Sequence, residues 1–310
     1  MKHIYQKLKE KEISIKDLKK SLKIEEKLTK KISEQIDIAS QIRKIFLSSL
    51  EIEEVNFTTK NRYKKEISGK LFTSENDSLI LFDAGLRTGL RQFPEIGIYL
   101  SKTGYDVVSV EGGDEVYGTE KVNYIDAVNY LKINKRITWR NIFAVGLSSG
   151  GVVSLKLGVD DEGIGIKGVI VINSYFDLTE MWYYGKKYLQ KTDPKNPRRK
   201  VFESYFKYAE ERNVNPDKDA QEFYLASPKS FYKDVKLPVL IIHGIKDEIV
   251  PVEQGIKLYE ALRKENKNVK FKIVVGEGIH SPGIFSSFEN FWGIMQTICA
   301  ARVFMRELKS

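Results

Sequence analysis

A serine flanked by small residues follows an apolar stretch in the sequence AVGLSSGG. A serine hydroxyl needs an adjacent base to attack a carbonyl, and a substrate reaches it on a sharp, exposed turn. Glycine two positions before and two after the serine allows that turn, and Gly146 and Gly150 stand there around Ser148. Centring the turn on Ser149 would put the bulky Leu147 at the first position. We therefore predict Ser148 as a nucleophile and expect the N–H of Ser149 to bind an oxyanion.

A general base for this serine has to come from three histidines, His3, His243 and His280. His3 lies in a charged terminal segment, and His243 ends an apolar run that reads as a buried strand. His280 alone lies in a glycine-rich loop, GEGIHSPG, after the last predicted strand. A histidine in such a loop is able to reach the end of a neighbouring strand, so we predict His280 as the base.

An acid that orients the imidazole completes this chemistry. Asp247 lies in the segment HGIKDEIVP, after the predicted strand PVLII, and is our first candidate. Its neighbour Glu248 and the earlier Asp177 are alternatives. Ser148, Asp247 and His280 follow one another in the chain in the order nucleophile, acid and base, which is the order expected for a nucleophile elbow in an α/β sheet.

Alternating strands and helices are predicted to position these residues. Apolar runs such as SLILFDAG, YDVVSVEGG, IKGVIVINS and LPVLIIHG alternate with amphipathic stretches, and two earlier segments, EIEEVNFTTK and RYKKEISGKLF, read as a hairpin. Buried strands alternating with helices indicate an α/β fold with a mostly parallel central sheet covered on both faces. Sites in such sheets lie at the carboxyl ends of the strands.

An aromatic-rich segment interrupts this alternation at about residues 176–234. An insert of this length in a compact domain is typical of a lid or a binding element. We predict that Trp182, Tyr183 and Tyr184 contact the substrate. The alternative is that these side chains only pack the insert onto the main domain, since small helical inserts need large side chains to bury.

Together these motifs resemble the α/β-hydrolase superfamily over about residues 55–310: GLSSGG resembles its nucleophile elbow, HGIKDEIVP its acid loop and GEGIHS its histidine loop. The second half is similar to the catalytic domain of prolyl-oligopeptidase-like (S9-type) serine peptidases and related esterases. The resemblance implies a Ser148–Asp247–His280 triad and no metal or other cofactor. In the turn that supplies an oxyanion donor, LFDAGLRTG has Ala84 or Asp83 in place of the family's histidine, and Gly85 or Leu86 would donate.

The composition limits the other function classes. The chain has 310 residues with a net charge of +9, a single cysteine and no run of 18 apolar residues, so we expect no disulfide or membrane span. The N-terminus has no apolar signal region, which favours a cytoplasmic protein, and abundant Lys and Glu agree with a thermophilic source.

Residues 1–50 hold 13 Lys and Arg against 7 Asp and Glu. They read as a basic helical extension to a hydrolase domain at 51–310, and a homo-oligomer through these helices is one possible role.

These observations predict a serine hydrolase that cleaves a carboxylic ester through an acyl-enzyme. The alternative substrate is a short peptide or an acyl-amino-acid amide, as for an exopeptidase or acylaminoacyl peptidase. Two further alternatives are a hydrolase-fold protein that binds without catalysis and a regulator whose basic helices bind DNA. We do not expect a nucleic-acid or membrane partner.

Overall fold

The computed structural model describes residues 53–73, 76–85, 100–101, 104–111, 120–265, 268–277, 280 and 288–309. Within these ranges the strands are β1 (Glu53–Lys60), β2 (Glu66–Thr73), β3 (Ser78–Asp83), β4 (Asp106–Glu111), β5 (Asn141–Leu147), β6 (Ile166–Ile172), β7 (Val239–Gly244) and β8 (Val269–Val274). The α-helices are α1 (Glu120–Asn134), α2 (Gly150–Val159), α3 (Leu178–Lys191), α4 (Arg199–Glu211), α5 (Ala220–Leu225), α6 (Val252–Lys264) and α7 (Phe288–Leu308).

The strands form one sheet in the order β1-β2-β4-β3-β5-β6-β7-β8. The β1–β2 and β2–β4 pairs are antiparallel, and the pairs from β4 through β3 to β8 are parallel. This confirms the α/β fold with a mostly parallel sheet and the predicted hairpin. Because the parallel strands point the same way, β3, β5, β6, β7 and β8 all deliver their carboxyl ends to one edge.

Alternating side chains divide the core into two layers. On β3, Leu79 and Leu81 face a cluster that includes residues of α1, α2 and α6, whereas Ile80 and Phe82 face a cluster that includes residues of α7. Successive side chains of a strand point to opposite faces, so helices cover both sides of the sheet. Every residue of β5 is buried, as expected for a central strand packed on both faces.

The segment between β6 and β7 folds into helices α3, α4 and α5, whose apolar side chains form a hydrophobic cluster with Val152 of α2 and with Ile249 and Val250 after β7. Trp182 is 5% exposed in this cluster, and its ring makes edge contacts with Tyr205, Phe206 and Phe223 at centroid distances of 5.8, 4.9 and 5.5 Å. Arg199 donates to the carbonyl oxygens of Leu189 and Thr192 at the end of α3. Packing of aromatic rings and hydrogen bonds to the last carbonyl oxygens of α3 therefore stabilise the insert.

Some predictions fall on residues outside the described ranges. These are the helical extension at residues 1–50 and the oxyanion candidate Leu86. Among the described residues, no helix is both long enough and apolar enough to cross a bilayer.

Trp182→Ala should destabilise the insert by about 3–5 kcal/mol, because it removes a buried ring from the centre of the cluster. Tyr183→Ala, one residue further along α3, is the matched control: that ring is 47% exposed and should cost far less. Limited proteolysis between β6 and β7 measures the difference. Equal protease resistance of Trp182→Ala and wild type would contradict the assignment of Trp182 to the core of the insert.

Candidate active site

Ser148 directly follows β5 in a left-handed backbone conformation with φ of 56°. Its N–H donates to the carbonyl oxygen of Ile172 over 2.9 Å, and its carbonyl oxygen accepts from Gly151 N–H over 3.0 Å. A non-glycine residue at such an angle costs about 1–3 kcal/mol and persists where the surroundings enforce it. Here β6 on one side and helix α2 on the other hold the serine on a sharp turn between strand and helix, as expected for a nucleophile elbow.

Close backbone packing around this turn explains its glycines. A Cβ on Gly146 would lie 2.0 Å from the carbonyl oxygen of Gly150, and a Cβ on Gly150 would lie 2.3 Å from the carbonyl oxygen of Asp83. No side chain fits either position, because both obstacles are backbone atoms. The spacing of glycines noticed in the sequence therefore serves the approach of β5, α2 and the end of β3 to one another.

The carboxylate of Asp247 lies at the same edge of the sheet and accepts four hydrogen bonds. Oδ1 accepts from the N–H groups of Ile249 and Val250, each over 2.9 Å. Oδ2 is 2.7 Å from Nδ1 of His280 and also accepts from Nδ2 of Asn173. The residue itself is 7% exposed. A buried carboxylate with every lone-pair direction engaged has a single orientation.

The pKa of Asp247 is lowered from its ordinary value of 3.8. Burial is the largest influence and by itself raises the pKa, but the neighbouring His280 and its hydrogen bond, the nearby His243 and the Val250 N–H together outweigh it. The carboxylate is therefore ionised at neutral pH, as required of a group that stabilises a neighbouring imidazolium.

His280 binds Asp247 through Nδ1, and this leaves Nε2 on the opposite side of the ring. Nε2 is buried and has no hydrogen-bond partner in the described part of the chain. An imidazole whose Nδ1–H donates to a carboxylate carries its acceptor lone pair on Nε2. The arrangement therefore leaves a buried nitrogen ready to take a proton.

His243, at the end of β7, lies behind the acid. Its Nε2 is 2.8 Å from the carbonyl oxygen of Val250 and 3.6 Å from Oδ2 of Asp247. A carbonyl oxygen only accepts, so Nε2 carries a proton. Burial, the largest influence, lowers its pKa from the ordinary 6.5 despite the attraction of Asp247. His243 thus supports the loop that holds the acid.

Asn173 is a residue of this site that the sequence analysis missed. It follows β6 with φ of 48° and is fully buried. Its Nδ2 donates to Oδ2 of Asp247 and, over 2.9 Å, to the carbonyl oxygen of Glu277. The available signal was a polar residue at the carboxyl end of the buried run VIVIN, between the strands that carry Ser148 and Asp247.

The two alternative acids lie elsewhere. Asp177 accepts from the N–H groups of Thr179 and Glu180 at the start of α3 and pairs with Lys229 at 2.9 Å, so it is a helix cap. The carboxylate of Glu248 accepts from the hydroxyl of Tyr188 over 3.0 Å. Asp247 is the acid that the structure brings to His280.

On the other side of the elbow, β3 ends at Asp83 and the following turn carries Gly85. Gly85 has φ of 72°, and its N–H donates to Oδ1 of Asp83 over 2.8 Å. A Cβ on Gly150 would lie 2.5 Å from the same carboxylate oxygen, so Asp83 packs against the first turn of α2. The positive end of that helix favours a carboxylate there. A Cβ on Gly85 would lie 2.7 Å from Oγ of Ser149, so this turn also contacts the elbow.

The insert contacts both loops that carry the acid and the histidine. The hydroxyl of Tyr184 donates to the carbonyl oxygen of Glu248 over 2.8 Å. Arg198, between α3 and α4, binds the carboxylate of Glu277 through Nε and Nη2 and lies 3.8 Å from Glu248 through Nη1. Of the three predicted substrate contacts, Tyr184 reaches the acid loop, Trp182 lies in the insert core, and Tyr183 bonds Asp217 on the outer surface.

Solved structures with the same architecture include an esterase from Pyrococcus furiosus, with a TM-score of 0.63 and 18% identity over 84% of this chain and 93% of that one. An acylaminoacyl peptidase from Pyrococcus horikoshii matches with a TM-score of 0.65 and 18% identity over 86% of this chain. This chain covers 43% of that peptidase. A carboxylesterase from Bacillus subtilis is 25% identical over 225 residues, which are 67% of this chain and 87% of the relative.

An elbow after the central strand, with an acid and a histidine on the following loops, defines an α/β-hydrolase. Residues 112–284 match the prolyl oligopeptidase family of S9 peptidases. The match spans more than half of the chain, which therefore belongs to this family and is a serine hydrolase.

The lowered pKa of His243 predicts a pH dependence of stability. The unfolded chain takes up a proton at His243 near pH 6.5, whereas the folded protein resists protonation. The free energy of unfolding should therefore be largest above pH 6.5 and fall as the pH drops below it. His243→Gln retains an amide donor for Val250 but does not titrate, so urea unfolding from pH 8 to pH 5 should show a shallower loss. Equal slopes for the two proteins would contradict a buried neutral His243.

Proposed function

We propose that this hydrolase cleaves carboxylic esters through a Ser148–His280–Asp247 triad. The hydroxyl oxygen of Ser148 attacks the substrate carbonyl carbon while Nε2 of His280 takes its proton. The imidazolium then gives that proton to the leaving alcohol as the C–O bond breaks. Water, deprotonated by the same nitrogen, attacks the acyl-enzyme, which releases the acid and restores Ser148.

The observation that carries this proposal is the bond between Asp247 and Nδ1 of His280 at the sheet edge where Ser148 follows β5. Asp247 fixes which ring nitrogen bears a proton and stabilises the imidazolium that forms when Nε2 accepts another. The left-handed conformation of Ser148 supports its role as the nucleophile, because strained backbone of this kind is typical of such elbows.

The N–H groups of Ser149 and Leu86 are our proposed oxyanion donors. Gly85, the alternative to Leu86, is the weaker candidate because its N–H already donates to the carboxylate of Asp83. A donor engaged by one anion stabilises a second one less. Ser149 begins the turn into α2, where the positive end of the helix also favours the developing charge.

We propose a small ester as the first substrate class, since the relative from Bacillus subtilis is a carboxylesterase and the neighbour from Pyrococcus furiosus is an esterase. A short peptide or an acyl-amino-acid amide is the second class. Membership of a family of peptidases and the similarity to an acylaminoacyl peptidase favour it. The comparison of kcat/KM on p-nitrophenyl acyl esters and on acyl-amino-acid amides separates the two.

Labelling with a fluorophosphonate tests the nucleophile, since the reagent needs an activated serine and working oxyanion donors. We expect one adduct, located on Ser148 by peptide mass mapping, and a loss of about 10⁴-fold in ester hydrolysis for Ser148→Ala. Ser149→Ala is the matched control, because its proposed role uses the backbone N–H that alanine retains. An adduct on Ser149, or none on folded protein, would overturn the proposal.

The insert is proposed to close one side of the site and to hold the histidine loop. Arg198 and Glu277 form an ion pair whose side chains are 18% and 17% exposed, so each needs the other. Because Glu277 lies three residues before His280, this pair joins the insert to the base. The hydroxyl groups of Tyr184 and Tyr188 add two hydrogen bonds to Glu248, which is the residue after Asp247.

Arg198→Met should lower kcat and stability together, because it leaves the carboxylate of Glu277 without its main partner. Adding Glu277→Gln removes the unpaired charge, so the double variant should recover part of the stability lost in Arg198→Met. Lys200→Met is the control: it removes one positive charge from an exposed position two residues away. Ester kinetics and thermal unfolding of the wild type, the two single variants Arg198→Met and Glu277→Gln, the double variant and the Lys200→Met control give the coupling. Independent effects of the two substitutions would contradict the bridge.

A further inference from the structure

The amide of Asn173 joins two parts of the site that are distant in sequence. Nδ2 donates to Oδ2 of Asp247, the oxygen that also binds His280, and to the carbonyl oxygen of Glu277 at the start of the histidine loop. The backbone N–H of Asn173 donates to the carbonyl oxygen of Ile242 on β7 over 2.9 Å. One residue therefore contacts the acid, the histidine loop and the strand before the acid loop.

The orientation of this amide follows from the chemistry of its partners. An ionised carboxylate and a carbonyl oxygen only accept hydrogen bonds, so the nitrogen, and not Oδ1, has to face them. Oδ1 is consequently buried without a hydrogen-bond partner in the described part of the chain. A buried acceptor left unpaired is unfavourable, and its presence indicates that the two bonds on the nitrogen side determine the arrangement.

The backbone at this position narrows the choice of residue. With φ of 48°, the site favours glycine, asparagine and aspartate over other residues. Glycine has no side chain, and an ionised aspartate cannot donate and would bring a second negative charge beside Asp247. Asparagine is the one of the three that satisfies both the backbone and the carboxylate.

We propose that Asn173 is a positioning residue that holds the Asp247 carboxylate and the histidine loop in one arrangement and so aims Nε2 of His280 at Ser148. The inference rests on the proposed function. Four donors reach the carboxylate, and two of them, from Ile249 and Val250, belong to its own loop. Asn173 is the donor from another strand that ties the acid to the loop carrying the base.

Loss of the amide should have two distinguishable effects. The imidazole becomes less well aimed, which should lower kcat by about 10- to 100-fold with KM unchanged. Oδ2 also becomes more basic and stabilises the imidazolium more strongly, so the acid limb of the kcat/KM profile should move to higher pH. Among the described residues, the ionisable groups around the pair include His243 on β7 and Tyr184 on α3, with Glu248 and the Arg198–Glu277 ion pair on the adjoining loops, and the substitution leaves them in place.

The test is hydrolysis of p-nitrophenyl butyrate from pH 5 to pH 9 by Asn173→Gly, which retains the backbone conformation. Asn213→Gly is the matched control, because Asn213 also has a positive φ, 54°, but lies on the exposed surface of the insert. Titration with a fluorophosphonate counts the competent sites, so kcat refers to folded enzyme. We expect both effects in Asn173→Gly and neither in Asn213→Gly. Unchanged kcat and acid limb, or a loss explained by fewer competent sites, would overturn the inference.

Asn173→Asp provides a second variant of nearly the same shape: it cannot donate to Oδ2 of Asp247 and places a second carboxylate beside it, so kcat should fall at least as far as in the glycine variant with KM unchanged. The wild-type protein offers an independent measurement: the side-chain NH₂ hydrogens of Asn173 donate to two acceptors, so they should exchange slowly with solvent in ¹⁵N spectra. Fast exchange would overturn the inference. Full activity of Ser148→Ala would instead remove the proposed function, and the exchange measurement would still report on Asn173.

Discussion

A negative charge buried at the edge of the sheet is the constraint on which the site depends. Removing a carboxylate from water is strongly unfavourable unless hydrogen bonds and a positive partner replace the solvent. Asp247 meets this condition with two N–H groups from its own loop, one amide from the end of β6 and one ring from the loop after β8. Three connections of the sheet are therefore fixed relative to one another by the needs of a single charged group.

The turn that carries Ser148 is held in a different way, by backbone packing. The strained turn at Ser148 persists because β5, the end of β3 and the first turn of α2 approach closely, and Gly146 and Gly150 allow that approach. Close backbone packing fixes the turn that carries Ser148, whereas hydrogen bonds and charge compensation fix Asp247 and His280. Both halves meet at the sheet edge because β3 to β8 run parallel.

Much of this architecture was predictable from the sequence because it follows from local patterns. The alternation of apolar strands and helices gave the fold, and the glycine spacing around Ser148 gave the elbow. The pairing of Asp247 with His280 followed from their positions after two late strands. Asn173 was missed because its role arises only when β6 and β7 lie side by side, which no short pattern encodes. Likewise, the burial of Trp182 and the outward position of Tyr183 depend on how α3 packs. A run of consecutive aromatic residues does not itself indicate which of them is buried.

The separate hydrophobic cluster of the insert has a consequence for the history and the engineering of this chain. Helices α3 to α5 pack around their own aromatic residues together with Val152 of α2 and with Ile249 and Val250 after β7, and this cluster is separate from the two that cover the faces of the sheet. The polar contacts of the insert with the loops of Asp247 and His280 run through Tyr184, Tyr188 and Arg198. An insert of different shape would have to reproduce these polar contacts and the apolar contacts of Ile249 and Val250, whose N–H groups bind the Asp247 carboxylate. The insert and the sheet are thus parts of the molecule able to diverge at different rates as long as these contacts are kept.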